Sequence, residues 1–535
     1  MAFLRYWHMN LTLKESLISR RRVLSPWTGF YFLQSLLINL GLGYPFSLLY
    51  TVAFTAILLL LWRTVPRLQK GVIGICSLVA ACYFPFAQTY GAPNFNTLLA
   101  LHSTNMEEST EMLTIFPWYS YLIGVFIFAL GVIALRRKKE AEKARWNKFD
   151  SLCLVFSVAA FFVAPLQNLA WGGVFKLKDT GYPVFRFAKD VIVNNNEVIE
   201  EQERMAKLAG MKDSWTVTAV KPKYHTYVVV IGESVRRDAL GAFGGHWDNT
   251  PFASSVNGYL FTDYVAASGS TQKSLGLTLN RVVDGKPQYQ DNFVTLANRA
   301  GFQTWWFSNQ GQIGEYDTAI ASIAKRADEV HFLKNGDFEA DKNSRDEDLL
   351  QMTAQVLATD RSQPQLIVLH LMGSHPQACD RTQGKYETFV QSKETSCYLY
   401  SIKQTDDLLK KIYDQLRNSG ESFSMVYFSD HGLAFKERGK EVQYLAHDDK
   451  FQQNFQVPFM VLSSDDKAHR KIKARRSAND FLSFFSQWTG ISAKEIQPNY
   501  RFISEHNAGP VYITNFKLEK VDYTHLGADI FDTKS

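Results

Sequence analysis

Residues 26–62 run from Pro26 to Trp62 without one Asp, Glu, Lys or Arg, and Phe, Leu, Ile and Tyr dominate them. A helix rises about 1.5 Å per residue and a bilayer core is roughly 30 Å thick, so one helix through the whole run would overshoot the core badly. Gly41, Gly43 and Pro45 interrupt the run where a turn would be needed. It therefore predicts two membrane spans back to back, and the polar remainder must be assigned to one side of that membrane.

Three further apolar stretches, Gly71–Tyr90, Phe116–Leu135 and Ser151–Ala170, each have the length of a span and bring the expected number to five. Short cytoplasmic loops collect Lys and Arg. Arg5, Lys14, Arg20, Arg21 and Arg22 precede the first span, Arg63, Arg67 and Lys70 follow the second, and RRKKEAEKARWNK follows the fourth. The loop from Gly91 to Ile115 carries Glu107, Glu108 and Glu111 and no Lys or Arg. The alternation predicts a cytoplasmic N-terminus and an exported C-terminal half. No cleavable signal peptide is expected, because the first apolar run is followed by more spans. Met9 offers an alternative start to Met1.

The mean hydropathy of -0.16 averages two unlike halves. Residues 1–171 are expected to form the transmembrane domain, 172–222 connector helices and 223–535 a globular catalytic domain. A net charge of +6 does not argue for a nucleic-acid partner, and none is expected. In the connector, Phe187, Val191, Val198, Met205 and Leu208 recur at helical spacing, opposite the acidic run EVIEEQER. Cys76, Cys82 and Cys153 fall in spans, whereas Cys379 and Cys397 are the only pair in the exported half. In an oxidising compartment such a pair predicts a disulfide, the alternative being two unpaired thiols.

Beyond Lys223, apolar strands alternate with amphipathic helices. TYVVVIGES, QTWWFSN, QLIVLHLMGSH, FSMVYFSDHG and VPFMVLS each read as a buried strand. The pattern predicts an α/β domain with a largely parallel sheet covered by helices on both faces. Ligands gather beyond the carboxyl ends of such strands. The polar residues that finish them are Glu233, Asn309, His370 with His375, and Asp430 with His431.

Glu233, Asp430 and His431 offer two carboxylates and one imidazole, a set that suits zinc with a position left open. SGSTQKSLGLTLN allows a sharp turn at Gly269 into a helix beginning near Thr271. A hydroxyl there faces the positive end of the helix dipole, a natural phosphate site, and a metal against it would make it a nucleophile. The plain alternative is an ordinary N-cap. His370, His375 and His447 are further imidazoles that could hold a second metal, bind phosphate oxygens or protonate a leaving group; His370, within its strand, also admits a structural role.

GES, a Thr opening a helix after a small-residue turn, HLMGSH, FSDHG and a later His occur in this order in the alkaline phosphatase/sulfatase superfamily, which the chain resembles. Five spans before the domain narrow the resemblance to the bacterial phosphoethanolamine transferases, along essentially the whole chain. It is nearest to the branch that decorates osmoregulated periplasmic glucans, through YGAPNFNTLLALHSTNMEES, WWFSNQG and HLMGSHPQACDRTQGKYETF. The resemblance implies a multi-pass protein of the inner membrane with a periplasmic catalytic domain. It would move phosphoethanolamine from phosphatidylethanolamine, through a phosphorylated threonine, to a periplasmic glucan. Transfer to lipid A or the lipopolysaccharide core, or of phosphoglycerol, are the alternatives.

The resemblance also implies roles. Glu233, Thr271, Asp430 and His431 match zinc ligands, with Thr271 the nucleophile; one tightly bound zinc ion is implied and a second left open. His375 and His447 match histidines near the second metal or the donor phosphate. Thr104 and Glu108 match positions that hold the lipid donor, and Asn309 and His370 are assigned to substrate contact. Ala100 replaces a polar residue of some relatives, one cysteine pair replaces several disulfides, and the lysine of lipid A-modifying relatives lacks a counterpart around SNQGQIGEYD.

Overall fold

A computed structural model of the chain describes residues 25–103, 113, 116–138, 146–170, 175–311, 319–334, 344–359, 362–438 and 443–531. Thr104, Glu108, the acidic residues beside them and the basic residues before the first span lie outside these. The chain forms two compact units, one within Met1–Leu98 and Thr110–Glu197, the other within Leu99–Ser109 and Val198–Ser535.

In the first unit the expected spans are helices α1 (Pro26–Gly41), α2 (Leu48–Thr64), α3 (Pro66–Tyr90), α4 (Trp118–Arg136) and α5 (Lys148–Ala170). Helices α3, α4 and α5 are long and apolar enough to cross a membrane, and α2 is a shorter apolar helix. The long run does break between α1 and α2. Gly43 there adopts φ 84°, and a Cβ on it would lie 2.4 Å from the backbone of Gly91. Only glycine permits both the left-handed turn and that approach. Polar side chains tie the helices together where no water could serve: Gln34 Nε2 donates to Ser77 Oγ at 2.6 Å, and Thr55 Oγ1 to Ser35 Oγ at 3.2 Å. Asp150, in the first turn of α5, is buried and pairs with Arg63 at 3.2 Å.

Helix α6 (Pro183–Ala209) runs from the first unit into the second. Two members of its acidic run do more than face solvent. Glu201 accepts from Tyr289 at 2.9 Å, and Arg204 donates to the Pro287 carbonyl at 2.6 Å, so the helix end is fastened to the hairpin strand Lys286–Asn292.

The second unit is built on a nine-stranded sheet. Its strands are β1 (Thr226–Gly232), β2 (Gly258–Val265), β3 (Gln303–Gly311), β4 (Glu329–Lys334), β5 (Gln365–His370), β6 (Phe423–Ser429), β7 (Gln456–Ser463), β8 (His469–Ile472) and β9 (Arg476–Ser477). They lie in the order β8-β2-β7-β6-β1-β5-β3-β4, with β9 beside β2. Every pairing is parallel except those of β7, which runs against both β6 and β2. β1 explains why central strands read as unbroken apolar runs. Tyr227, Val229 and Ile231 enter the core on one face, Val228 and Val230 the core on the other, and all five are fully buried. Burying each valine contributes roughly 1.5–3 kcal/mol relative to exposure.

Register sets up the rim. In β1 and β6, Gly232 is opposite Ser429, and Ile231 is also opposite His370 of β5. Neighbouring strands lie about 4.8 Å apart, so the residues that follow, Glu233 and Asp430, emerge side by side. Because β2 is parallel to this set, its carboxyl end opens on the same rim. Six residues later begins helix α7 (Thr271–Leu279), at the position expected.

Candidate active site

Thr271 is the first residue of α7, and its hydroxyl Oγ1 lies 3.2 and 3.1 Å from the two carboxylate oxygens of Glu233 and 3.2 Å from Nε2 of His431. His431 Nε2 is in turn 3.4 Å from Glu233 and 3.3 Å from Oδ2 of Asp430. Residues separated by up to 198 positions thus present four donor groups to one point. Each is oriented by a second contact. His431 Nδ1 lies 2.9 Å from the Gly432 carbonyl, which turns Nε2 toward the cluster. Asp430 Oδ1 accepts from the backbone N–H groups of Ser234 at 3.0 Å and His431 at 2.7 Å, leaving Oδ2 as the free oxygen. Ser234 takes the left-handed region at φ 61° and donates its hydroxyl to Glu233 at 2.7 Å. Strain at a non-glycine residue of this kind costs of order 1 kcal/mol and is concentrated at functional sites.

The electrostatics are those of a site short of positive charge. Burial pushes the Glu233 carboxyl up, but the hydrogen bond and charge of His431, with the charge of His375, outweigh it and hold the group below the usual carboxylate range. Burial and the Glu233 charge push Asp430 up, to about 7. Burial opposes ionisation of His431, yet the carboxylates of Asp430 and Glu233 raise it to about 9. A proton on His431 therefore balances the carboxylates when no other cation does.

The residues fit a zinc ion. Asp430 Oδ2 is buried and accepts no hydrogen bond. Tetrahedral zinc with arms of about 2.0 Å has ligand–ligand edges of about 3.3 Å. The separations among Thr271, Glu233, His431 and Asp430 given above, 3.1 to 3.4 Å, match those edges. Three oxygens and one imidazole nitrogen are suitable donors.

His447 and His375 stand around this cluster. The ring of His447 lies 4.8 Å from that of His431 and 6.3 Å from that of His375. Ligand atoms of Glu233, His431 and His447 come within 4.8 Å of one another, so His447 could share in metal binding. Burial, then the charges of His431 and His375, push His447 well down, and burial brings His375 down to about 4. Both are neutral at pH 7.

Asn309 and His370 lie near the carboxyl ends of β3 and β5. Each is buried, Asn309 at 2 % exposure and His370 at 1 %. The His370 ring sits edge-on to Trp306 with Nδ1 3.3 Å from Ser308 Oγ, as its place inside β5 dictates. Asn309 donates to Asp346 at 2.8 Å. Glu233, Asp430 and His431 are buried to the same degree, and substrate contact by Asn309 and His370 stands as a proposal. Gln310 reaches the site, with Nε2 3.4 Å from Glu233 and 2.9 Å from the Leu371 carbonyl. Cys379 and Cys397 form a disulfide that joins the short helix Ala378–Arg381, just beyond His375, to the helix Lys393–Asn418.

Two supports escaped the sequence reading. Asp346 is half-buried and accepts from the backbone N–H groups of Met372 at 2.8 Å and Gly373 at 2.9 Å, fixing the loop that carries His375. Gly373 lies so close to Glu233 N, 3.0 Å from a Cβ built on it, that a side chain would crowd the ligand. Ser274, one turn into α7, donates to the Asp430 carbonyl at 2.6 Å. Its spacing of three from Thr271 was the available signal.

The sequence matches the Sulfatase family over residues 225–491. It is 88% identical to the phosphoethanolamine transferase OpgE of Escherichia coli over 98% of this chain and 100% of that protein. The fold is shared with the integral membrane lipooligosaccharide phosphoethanolamine transferase A (EptA) of Neisseria meningitidis, at a TM-score of 0.59 and 16% identity, covering 88% of this chain and 97% of that one. It is also shared with the C-terminal periplasmic domain of EcEptC from Escherichia coli, solved in complex with Zn, at a TM-score of 0.52 and 19% identity, covering 60% of this chain and 98% of that one. With near-identity along its full length and a Sulfatase-type domain that gathers its motifs at one strand-end rim, the chain belongs to the phosphoethanolamine transferase family.

Proposed function

We propose that the chain transfers phosphoethanolamine from phosphatidylethanolamine to a periplasmic glucan by way of a covalent Thr271 intermediate. The observation that carries this reading is the Thr271 hydroxyl, held 3.1–3.2 Å from Glu233 and His431 at the amino end of α7. Glu233, held in its ionised form, accepts the hydroxyl hydrogen and aims an oxygen lone pair outward. A zinc ion on Glu233, Thr271, Asp430 and His431 would lower the pKa of that hydroxyl and neutralise charge developing on phosphorus. Thr271 Oγ1 forms the new bond to phosphorus as the bond to the diacylglycerol oxygen breaks, and the proton given up by the Thr271 hydroxyl ends on that leaving oxygen. An acceptor hydroxyl then displaces Thr271 from phosphorus. His375 and His447, neutral at pH 7, are set to take the proton of that hydroxyl.

The rest of the reading follows from the donor. A lipid confined to the outer leaflet is best met by an enzyme anchored beside it, which supports spans within residues 1–171, a connector over 172–222 and a periplasmic catalytic domain over 223–535, with the N-terminus cytoplasmic. Thr104 and Glu108, at helical spacing in the loop between the third and fourth spans, are proposed to hold that lipid. The phosphoethanolamine group is supported by likeness to the phosphoethanolamine transferase OpgE along the full chain, and the glucan acceptor by the resemblance carried in WWFSNQG and HLMGSHPQACDRTQGKYETF.

Incubation with head-group-labelled phosphatidylethanolamine or phosphatidylglycerol, followed by mass spectrometry of periplasmic glucans and lipopolysaccharide from cells lacking the gene, tests donor and acceptor together. Label from phosphatidylethanolamine only, with phosphoethanolamine lost from the glucans, is expected. Loss from lipopolysaccharide with glucans unchanged would overturn the acceptor.

A further inference from the structure

The two segments that leave the rim, after Glu233 and after His431, are braced by the C-terminal stretch around Asp529. Arg236, three positions past Glu233, is fully buried and ion-paired on both sides: to Asp238 at 2.6 Å and to Asp529 at 2.8 Å. The same guanidinium donates to the Leu433 carbonyl at 3.2 Å and to the Asp529 carbonyl, and it stacks between the rings of Phe435 and Phe531 at 4.8 and 5.3 Å. Asp529 Oδ2 also accepts from the backbone N–H of Phe435 at 2.9 Å, and its own N–H donates to Gln453 at 2.7 Å. One carboxylate thus clamps both segments that leave the rim, the one after Glu233 and the one after His431.

The packing beneath is tight. A Cβ on Gly432, next to His431, would lie 2.3 Å from the Gln453 carbonyl and 3.2 Å from the Arg236 side chain. The tail is anchored apolarly as well: Phe531 meets Trp247 at 4.4 Å and Phe435 at 4.5 Å between ring centroids.

The same C-terminal stretch holds the nucleophile's loop from the other side. Thr514 N donates to the Ala267 carbonyl at 2.9 Å, and Ser268 Oγ donates to the Thr514 carbonyl at 2.8 Å. Phe516 N donates to Asp449 at 2.7 Å, and its ring lies 3.3 Å from a Cβ built on Gly269. Thr514, Phe516, Asp529 and Phe531 all lie beyond the Sulfatase match, which ends at residue 491.

From this we infer that residues 511–531 are a positioning brace for the transfer site, and that Asp529, through Arg236, sets the separation of Glu233 and His431. The inference rests on the zinc reading of the cluster, but its test separates from that reading. Partners outside a metal's ligands typically change affinity by about 10–100-fold when removed. Zinc affinity of the full-length protein in detergent is measured by competition with a chromogenic chelator, well below the thermal midpoint, for the wild type, Asp529→Asn and Phe531→Ala.

Asp406→Ala serves as a control, since Asp406 accepts from the N–H groups of Phe252 and Ala253 at 2.8 and 3.0 Å and so holds only the short helix Pro251–Ser255. The expected result is a loss of about tenfold or more in both tail variants, with the control lowered in thermal midpoint but unchanged in affinity. Tail variants that fold and bind within about twofold of wild type would overturn the brace. So would an equal affinity loss in the control, or a failure of both tail variants to fold, because the tail would then be general core. A wild type that binds no zinc would contradict the metal reading itself.

Discussion

Ser274 Oγ donates to the backbone carbonyl of Asp430 at 2.6 Å, fastening the helix that carries Thr271 to the strand end that carries two of the proposed ligands. A net hydrogen bond of this type contributes about 1 kcal/mol. Ser274→Ala is expected to leave the fold intact and to lower the rate of Thr271 modification several-fold, measured as the rate of label uptake from phosphatidylethanolamine. An unchanged rate would mean that α7 is placed by packing alone.

The hydroxyl rather than the shape of Thr271 carries the reaction. Thr271→Ser keeps an oxygen at the amino end of α7 and is expected to retain a labelled intermediate at reduced rate. Acid-quenched enzyme resolved on a denaturing gel measures it. No label on the serine variant, in protein that still binds zinc, would argue that the threonine methyl is needed to hold the rotamer.

Zinc binding must compete with protons. His431 holds its proton up to about 9 in the metal-free site because Asp430 and Glu233 face it. Below that pH each zinc ion bound displaces at least that proton, so affinity should rise by about tenfold per pH unit between 7 and 9 and flatten above. The linked stability has a definite sign. A histidine raised above its ordinary value stabilises the metal-free fold below about 6.5, and this is lost as pH rises through about 9. Metal-free protein should therefore lose stability across that window and zinc-loaded protein should not. Thermal scans at stepped pH, with and without zinc, report both.

Asp346 is the structural counterpart on the His375 side. Asp346→Ala would strand the N–H groups of Met372 and Gly373 and the amide of Asn309, of which Met372 and Asn309 are buried. Each unsatisfied buried donor costs about 1–3 kcal/mol, so a loss of several kcal/mol is expected by denaturant unfolding of the detergent-solubilised chain. A loss below about 1 kcal/mol would show that water satisfies these groups instead.

The Cys379–Cys397 bond closes a loop with a sequence separation of 18. A loop near that size is stabilised by about 3 kcal/mol through restriction of the unfolded chain. Reduction, or Cys397→Ser, is expected to lower the thermal midpoint of the catalytic unit without abolishing zinc binding. Loss of zinc binding on reduction would place the disulfide in the site itself.

Much of this was legible in the sequence because it is local. Central strands such as Tyr227–Ile231 are buried on both faces and so read as apolar runs, and the polar residue ending each marks the rim. Gly43 and Pro45 betray the break between α1 and α2. Strands β2 and β4 were harder: GYLFTDYV and EVHFLK mix in Asp, Thr, His and Glu, because their side chains are only partly covered. The burial of His370 and Asn309 depends on the strands beside them, which their own neighbours in sequence do not reveal. The grip of Asp529 on Arg236 joins residues 293 positions apart. No spacing rule reaches that far.

Peptide mapping of acid-quenched enzyme after brief exposure to phosphatidylethanolamine tests the central claim most directly. The account predicts a phosphoethanolamine adduct on the Thr271 hydroxyl that disappears in Thr271→Ala and on removal of zinc. An adduct on any other residue, or one that persists in Thr271→Ala, would contradict it.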